Sequence, residues 1–221
     1  DSIPKGYTTK GGKIEKVDKD AVSILEEKYG FKIENRSVYG QTLNKLYERV
    51  VIDRYLEETA GQSGRTAVFC IGGNDSDYDW AAIAADPEGD HQPHTKRETF
   101  RQTLDSILKV LYQQGVQPVL MSLPPIDPRR YLRFICRNGL DRNAIMRWLG
   151  DEDMIYRHQE LYSDTVTELA YANGVPLIHV RQAFLADHHM NDLLSADGIH
   201  LTMDGYGKLF DTLADWLRPK L

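Results

Sequence analysis

The chain has 221 residues with 27 basic and 33 acidic side chains, and its net charge at pH 7 is −6. This acidic balance argues against general affinity for nucleic acid, whose phosphates attract the opposite charge. Only two cysteines are present, which excludes a disulfide framework, and no apolar run reaches the roughly 20 residues needed to span a bilayer. Length and composition predict a single globular domain over 1–221 without a nucleic-acid or membrane partner.

Hydrophobic periodicity predicts helices and strands that alternate along the chain. Residues 1–17 are rich in Gly, Lys and Thr, which predicts a loop. Beyond them, the spacing of apolar residues predicts helices over 18–29, 43–56, 95–114, 153–173 and 204–217. Apolar or alternating runs predict strands over 31–38, 66–71, 118–123 and 175–180. The remaining long segments are predicted as a loop over 75–95 and as short helical pieces over 126–152.

This alternation predicts an α/β fold, a three-layer α/β/α sandwich with a parallel sheet between two layers of helices. In such sheets, ligands bind beyond the carboxyl ends of the strands. Gly40 and Asn74 each follow a predicted strand, and Asp197 and His200 lie on the loop before the last helix. We therefore expect these four residues to meet at one edge of the sheet.

Asp197 and His200 place a carboxylate and an imidazole three residues apart, and alone they fit a turn and a surface histidine equally well. Hydrolytic sites use such a pair to take the proton of a nucleophile. Three other segments give the pair a context, and the full set is Asp1-Ser2-Ile3 with Gly6, Asn35-Arg36-Ser37-Val38-Tyr39-Gly40, Gly72-Gly73-Asn74-Asp75, and Asp197-Gly198-Ile199-His200 followed by Leu201-Thr202 and Gly205-Tyr206. In this order they resemble the four sequence blocks of the SGNH hydrolases, also called GDSL-type esterases and lipases.

The resemblance implies a role for each matching residue. Ser2 corresponds to the nucleophile, His200 to the general base and Asp197 to the carboxylate that orients the base. The backbone N–H groups of Ser2 and Gly40 and the side-chain amide of Asn74 correspond to the donors of the oxyanion hole. A serine hydroxyl needs such a base, and a residue without Cβ lets substrate approach the backbone. The resemblance implies neither a metal nor an organic cofactor.

SGNH hydrolases carry a glycine before the Asp-Ser pair and, before that, a first strand in the middle of a five-stranded, flavodoxin-like sheet. The sequence contains neither. We therefore expect a longer natural polypeptide or an upstream segment that is absent here. The first residues are polar, so a cytoplasmic location is the default expectation, although a missing N-terminus would leave room for a secretion signal.

By resemblance, the chain is expected to be a serine ester hydrolase that acts on carboxylic esters through an acyl-enzyme. The absence of a long apolar lid favours short acyl groups, acetyl among them, and a small-molecule or carbohydrate ester as substrate. Tyr78 and Trp80 come shortly after Asn74 and are candidates for lining the acyl or sugar side. The alternative is that they anchor their loop.

The segment 126–152 is rich in arginine although the chain as a whole is acidic. Its arginines are Arg129, Arg130, Arg133, Arg137, Arg142 and Arg147. In the family that the chain resembles, insertions at this point commonly border the active site. We therefore expect a cap or insertion here, with Arg129 and Arg133 favouring an anionic or polyhydroxylated substrate, and a solvated helical face is the alternative.

Two functions of other classes remain open. One is a catalytically silent carbohydrate-binding or scaffolding relative, which labelling of Ser2 by a fluorophosphonate would oppose. The other is a metal-dependent phosphoesterase, which insensitivity to a chelator would oppose. Its ligands would come from two polar groups, Asp90 with His91 and His94, and His188 and His189 with Asp187 and Asp192.

Overall fold

The computed structural model describes residues 1–30, 32–48 and 50–218. Its helices are α1 Ser2–Lys5, α2 Ala21–Tyr29, α3 Leu43–Glu48, α4 Val51–Glu58, α5 Trp80–Ala85, α6 Arg97–Gln113, α7 Pro128–Cys136, α8 Arg142–Leu149, α9 Asp153–Ala172, α10 Val180–Leu185 and α11 Met203–Leu217. Its strands are β1 Tyr7–Lys10, β2 Lys13–Lys16, β3 Thr66–Phe69, β4 Gln117–Met121 and β5 Leu177–Ile178. No helix in these ranges is long and apolar enough to cross a membrane.

The predicted α/β class is confirmed. Strands β3, β4 and β5 form a parallel sheet in that order, with Phe69 opposite Leu120 and Met121 opposite Ile178. The connections between these strands are long and contain helices, as parallel pairing requires. All three strands therefore end at the same edge, where the loops that carry the candidate residues begin.

Helices cover the sheet on both faces because the central strand β4 presents apolar side chains to both of them. Leu120 packs into a buried cluster with α6 and α9, whereas Val119 and Met121 pack into a second cluster with α10 and α11. Successive side chains of a strand point to opposite faces, so this alternation builds the three layers. The sandwich holds the carboxyl ends of the strands in fixed positions.

A third buried cluster joins α5, α7, α8 and the start of α9. Its buried members include Trp80, Tyr131 and Ile155. The short helical pieces predicted for 126–152 are confirmed as α7 and α8. Asp127 and Asp141 accept hydrogen bonds from the first N–H groups of these two helices, which explains where each begins.

The strand predicted over 31–38 is wrong for residues 32–38, which form no strand, and Phe31 lies outside the described residues. Side chains satisfy this backbone instead of a neighbouring strand. Ile33 N donates to Glu26 Oε1 at 2.9 Å, and Ser37 N donates to Asn35 Oδ1 at 3.1 Å. Local bonds of this kind compete with a β-ladder.

The loop predicted over 1–17 is also wrong, since α1 and the antiparallel hairpin β1–β2 occupy most of it. Gly11 and Gly12 form the tight turn, both with positive φ, as a two-residue hairpin loop requires. The helix predicted over 43–56 corresponds to two helices, α3 and α4, with Val50 at φ 52 just before α4; Arg49 lies outside the described residues. The loop predicted over 75–95 contains α5, which Asp79 caps.

Candidate active site

Ser2 is buried at the start of α1, a single helical turn. Gly6 ends that turn with φ +79, and a Cβ at Gly6 would come within 2.9 Å of Asp20. The hydroxyl of Tyr206 in α11 donates to the carbonyls of Ile3 and Tyr7 at 3.2 and 2.8 Å. These contacts fix the chain on both sides of Ser2.

Asp197 and His200 lie on a tight loop that precedes α11. Asp197 Oδ1 accepts the backbone N–H groups of Ile199 and His200, each at 3.0 Å. Gly198 has φ +78, and a Cβ there would lie 2.5 Å from the carbonyl oxygen of Asp127. The loop therefore depends on glycine at its centre, and it turns the imidazole back towards the sheet edge.

The structure brings Ser2, His200 and Asp197 into one hydrogen-bonded chain. His200 Nδ1 is 2.6 Å from Asp197 Oδ2, and His200 Nε2 is 3.1 Å from Ser2 Oγ. An ionised carboxylate only accepts hydrogen bonds, so the ring proton lies on Nδ1 and leaves Nε2 free to accept one. All three residues are buried.

The Asp197 carboxylate is strongly stabilised in its charged form. Burial alone would raise the pKa of Asp197, but the hydrogen bond and charge of His200 and the hydroxyl of Thr9 lower it below its ordinary value. Thr9 Oγ1 donates to Oδ2, and Ser195 Oγ donates to Oδ1 at 3.0 Å. The carboxylate thus remains ionised beside the imidazole.

Of the residues predicted as oxyanion donors, Asn74 lines the same cavity as Ser2. Asn74 Nδ2 donates to the carbonyl of Gln41 at 3.1 Å, which leaves its second N–H available. Gly40 precedes Gln41 and has φ +66. The backbone N–H of Ser2 donates to Asp1 Oδ1 at 2.5 Å in this conformation, so an incoming oxyanion would have to replace that contact.

A cavity of about 260 Å³ opens beside this chain of hydrogen bonds. Ser2, His200 and Asn74 are among its lining residues, and Tyr78 and Trp80 line it as predicted. Further lining residues from α7, α8 and α9 were not found from the sequence and include Tyr131, Trp148, His158 and Gln159. The cavity therefore combines the sheet edge with the third buried cluster.

Arg129, Arg133 and Gly40 are not among the lining residues of this cavity. Arg129 is exposed and pairs with Glu152 at 3.0 Å, and Arg133 is also exposed. The structure thus places both arginines on the outer surface of α7, away from the cavity interior. Neither guanidinium group is therefore in position to contact a group bound inside the cavity.

Thr9 and Tyr39 also adjoin the site, and sequence reasoning missed both. Thr9 lies on β1, in the segment predicted as a loop, although Gly-Gly between β-forming residues is a hairpin signal. The ring of Tyr39 stacks on the His200 imidazole, with centroids 6.1 Å apart and 12° between the planes. Tyr39 is 47% exposed and covers the imidazole on its solvent side.

The two histidine-containing groups considered as metal sites are not assembled. Within the described part of the chain, no three His, Cys, Asp or Glu side chains are grouped so that they could hold a metal ion. His91 contacts the carbonyl of Asp86, and His94 contacts the carbonyl of Asn74. His189 lies 3.8 Å from Asp192 in an exposed pair.

The sequence profile of the GDSL-like lipase/acylhydrolase family matches residues 1–208. The chain belongs to that family. The match includes all four segments that carry the candidate residues, from Ser2 to His200. Membership of this family makes the protein an ester-hydrolysing enzyme.

Solved structures of GDSL-type and related enzymes share the fold at low sequence identity. The lipase/acylhydrolase from Enterococcus faecalis is 18% identical with a TM-score of 0.63, covering 100% of this chain and 93% of that chain. The acetyl xylan esterase AlAXEase is 19% identical with a TM-score of 0.62, covering 90% of each chain. The acetylxylan esterase Axe2 from Geobacillus stearothermophilus is 18% identical with a TM-score of 0.58, covering 97% and 85%.

A search of curated protein sequences found no match to this member of the GDSL-like family.

Proposed function

We propose that this GDSL-type enzyme hydrolyses carboxylic esters through a covalent acyl-enzyme formed on Ser2. One observation carries the proposal, namely the hydrogen-bonded chain from Ser2 Oγ through His200 to Asp197, with distances of 3.1 and 2.6 Å. A nucleophile, a base and an orienting carboxylate in this order are the parts that serine hydrolysis requires. Burial of all three favours proton transfer within the chain over exchange with solvent.

In the first half of the reaction, Ser2 Oγ attacks the ester carbonyl carbon while His200 Nε2 accepts the hydroxyl proton. The imidazolium that forms is stabilised by the ionised Asp197, whose pKa is lowered by the hydrogen bond from His200 despite burial. His200 then gives the proton to the leaving alcohol oxygen as the bond to the acyl carbon breaks.

The negative charge that develops on the carbonyl oxygen needs donors aimed at it. We assign this role to the backbone N–H groups of Ser2 and Gly40 and to the free N–H of the Asn74 amide. Preorganised donors of this kind stabilise the transition state more than the substrate. The contact between Asn74 and Gln41 supports the assignment, because it fixes the amide beside the segment that carries Gly40.

In the second half, a water molecule takes the place of the alcohol. His200 accepts its proton, the hydroxide oxygen attacks the acyl carbon, and the bond to Ser2 Oγ breaks as His200 returns the proton to serine. The free acid leaves and the enzyme is restored. This sequence uses the same donors twice and requires no further group.

For the substrate, we propose a short acyl ester, acetyl among the candidates, on a small or carbohydrate alcohol. Two structural neighbours are acetyl xylan esterases, which supports this choice. Aromatic rings at Tyr78 and Trp80 in the cavity wall are compatible with a sugar as well as with an apolar group.

The experiment is the turnover of p-nitrophenyl acetate by Ser2→Ala. We expect kcat to fall by about 10³-fold or more. Ser63→Ala provides the matched control, because Ser63 is an exposed loop serine and its removal should leave kcat unchanged. Retention of full activity by Ser2→Ala would overturn the proposed mechanism.

A further inference from the structure

The interior of the cavity beside Ser2 is aromatic and contains a carboxylate. Tyr78, Trp80, Tyr131 and Trp148 all line it, and adjacent rings meet nearly edge to face, with Tyr78 and Trp148 centroids 4.8 Å apart. Two lining residues are acidic, Asp1 and Asp77; Asp1 Oδ1 accepts from Ser2, whereas Asp77 is bonded to two of the aromatic residues. Among the described residues in the lining there is no lysine or arginine.

Asp77 is held in place by neutral donors. Trp80 Nε1 donates to its Oδ1 at 2.8 Å, and the hydroxyl of Tyr131 donates to its Oδ2. No salt bridge to Asp77 is formed by any residue that the structure describes. Burial raises the pKa of the Asp77 carboxyl, as expected where hydrogen bonds alone oppose the loss of water.

His158, the lining histidine outside the triad, does not supply the missing charge. Its Nδ1 lies 2.9 Å from the carbonyl of Ser76 and its Nε2 lies 3.1 Å from the hydroxyl of Tyr78. The carbonyl can only accept, so Nδ1 carries the proton and Nε2 accepts from the tyrosine. Burial lowers the pKa of His158, which favours the neutral ring. The carboxylate thus faces the cavity without a cation of its own.

The possible occupants differ in how they meet this lining. An anionic group would lie beside Asp77 and be repelled, and a purely apolar group would leave the charge buried without a partner. A cation is attracted both by the carboxylate and by the electron-rich faces of aromatic rings. The volume of about 260 Å³ is ample, since an apolar cavity of about 150 Å³ already holds a benzene ring.

We propose that the cavity binds a positively charged ammonium group of the ester substrate, with Asp77 as its counter-ion and the rings of Tyr78, Trp80, Tyr131 and Trp148 around it. This inference rests on the proposed function, because it concerns the substrate of the same site. Two sources have this chemistry, an amino-acyl group on the acyl side and a quaternary ammonium alcohol on the leaving side. Both are short esters.

The test compares esters that differ only in the charged atom, at pH 7 and constant ionic strength. One pair is alanine methyl ester and methyl isobutyrate, and the other is acetylcholine and 3,3-dimethylbutyl acetate. We expect the ammonium member of one pair to have a kcat/KM about 10-fold to 30-fold above its neutral partner. The pair that responds identifies the side of the ester, and equal values in both pairs would overturn the inference.

The matched variants are Asp77→Asn and Asp79→Asn. Asp79 is exposed and caps α5, a role that asparagine also performs, so its replacement removes a charge two residues away without changing the cavity. We expect the ratio of charged to neutral kcat/KM to fall towards one in Asp77→Asn and to stay at the wild-type value in Asp79→Asn. An undiminished ratio in Asp77→Asn would contradict the assignment of the counter-ion.

A measurement on the unmodified enzyme covers the case in which Asp77→Asn does not fold. Tetramethylammonium chloride should raise the KM for p-nitrophenyl acetate without changing kcat, whereas sodium chloride at the same ionic strength should not. Equal effects of the two salts would count against the ammonium site. Failure of the proposed function looks different, because neutral-ester turnover would then survive Ser2→Ala.

Discussion

Replacing Asp197 by asparagine is the most informative single change to the proposed triad, because the structure fixes how the new amide would lie. Asp197 Oδ1 accepts two backbone N–H groups, from Ile199 and His200, each at 3.0 Å. An amide NH₂ in that position would leave both donors unpaired in a buried loop, at a cost of about 1–3 kcal/mol each. The amide oxygen therefore keeps the Oδ1 position.

The NH₂ group must then occupy the Oδ2 position, which faces His200 Nδ1. It donates a hydrogen bond to Nδ1, so the ring proton moves to Nε2. A protonated Nε2 cannot accept the proton of Ser2. In the wild type, the hydroxyl of Thr9 donates to Asp197 Oδ2. In the variant it can rotate and accept from the amide instead, so the packing around the loop is preserved.

We expect kcat of Asp197→Asn on p-nitrophenyl acetate to fall by about 10⁴-fold, which corresponds to about 5 kcal/mol at 1.36 kcal/mol per factor of ten. Asp192→Asn on the same loop is the control, since the Asp192 side chain is 77% exposed, and it should keep wild-type kcat. A loss smaller than tenfold in a folded Asp197→Asn would refute the tautomer argument.

Three further outcomes are expected. Asn74→Ala should lower kcat by about 10²-fold to 10³-fold with a smaller change in KM, measured on the same ester, because its amide acts in the transition state. Gly205→Ala should destabilise the protein by about 1–3 kcal/mol, because the new methyl group would overlap the Leu193 carbonyl. Gly207→Ala on the same helix meets open space and should stabilise the protein by about 0.5–1 kcal/mol. Urea unfolding measures both. Folding lowers the pKa of Asp197, so the ionised carboxylate stabilises the protein above about pH 4, and this stabilisation is lost as the pH falls towards the pKa of the folded state. The difference in unfolding free energy between wild type and Asp197→Asn should therefore narrow below about pH 4.

The sequence was sufficient to predict the long helices and the three strands of the parallel sheet, because their apolar spacing is regular. The helix predicted over 153–173 is α9 Asp153–Ala172, and the helix predicted over 204–217 is α11 Met203–Leu217, which Thr202 caps by accepting from Gly205 N at 3.1 Å. The prediction of a strand over 31–38 was wrong because alternating apolar residues also occur where side chains accept the backbone N–H groups. Here Glu26 and Asn35 are those acceptors. Pattern alone does not reveal such local bonds.

The candidate site divides in the same way. Ser2, Asn74 and His200 lie in short segments with recognisable spacing, so they could be named before their geometry was known. The cavity wall beyond Tyr78 and Trp80 could not be named in this way, because Asp77, Tyr131 and His158 come from separate elements and meet only when α7 and α9 pack against the sheet edge. Thr9 is a third case, since the Gly-Gly turn of its hairpin was a signal that composition obscured.

Covalent labelling tests most directly whether Ser2 is the nucleophile. The enzyme is treated with a fluorophosphonate, digested, and analysed by mass spectrometry for the modified peptide. We expect one phosphonate adduct on Ser2, formed together with loss of esterase activity and absent in Ser2→Ala. An adduct on a different serine that accompanies the loss of activity, or inactivation with Ser2 unmodified, would contradict it.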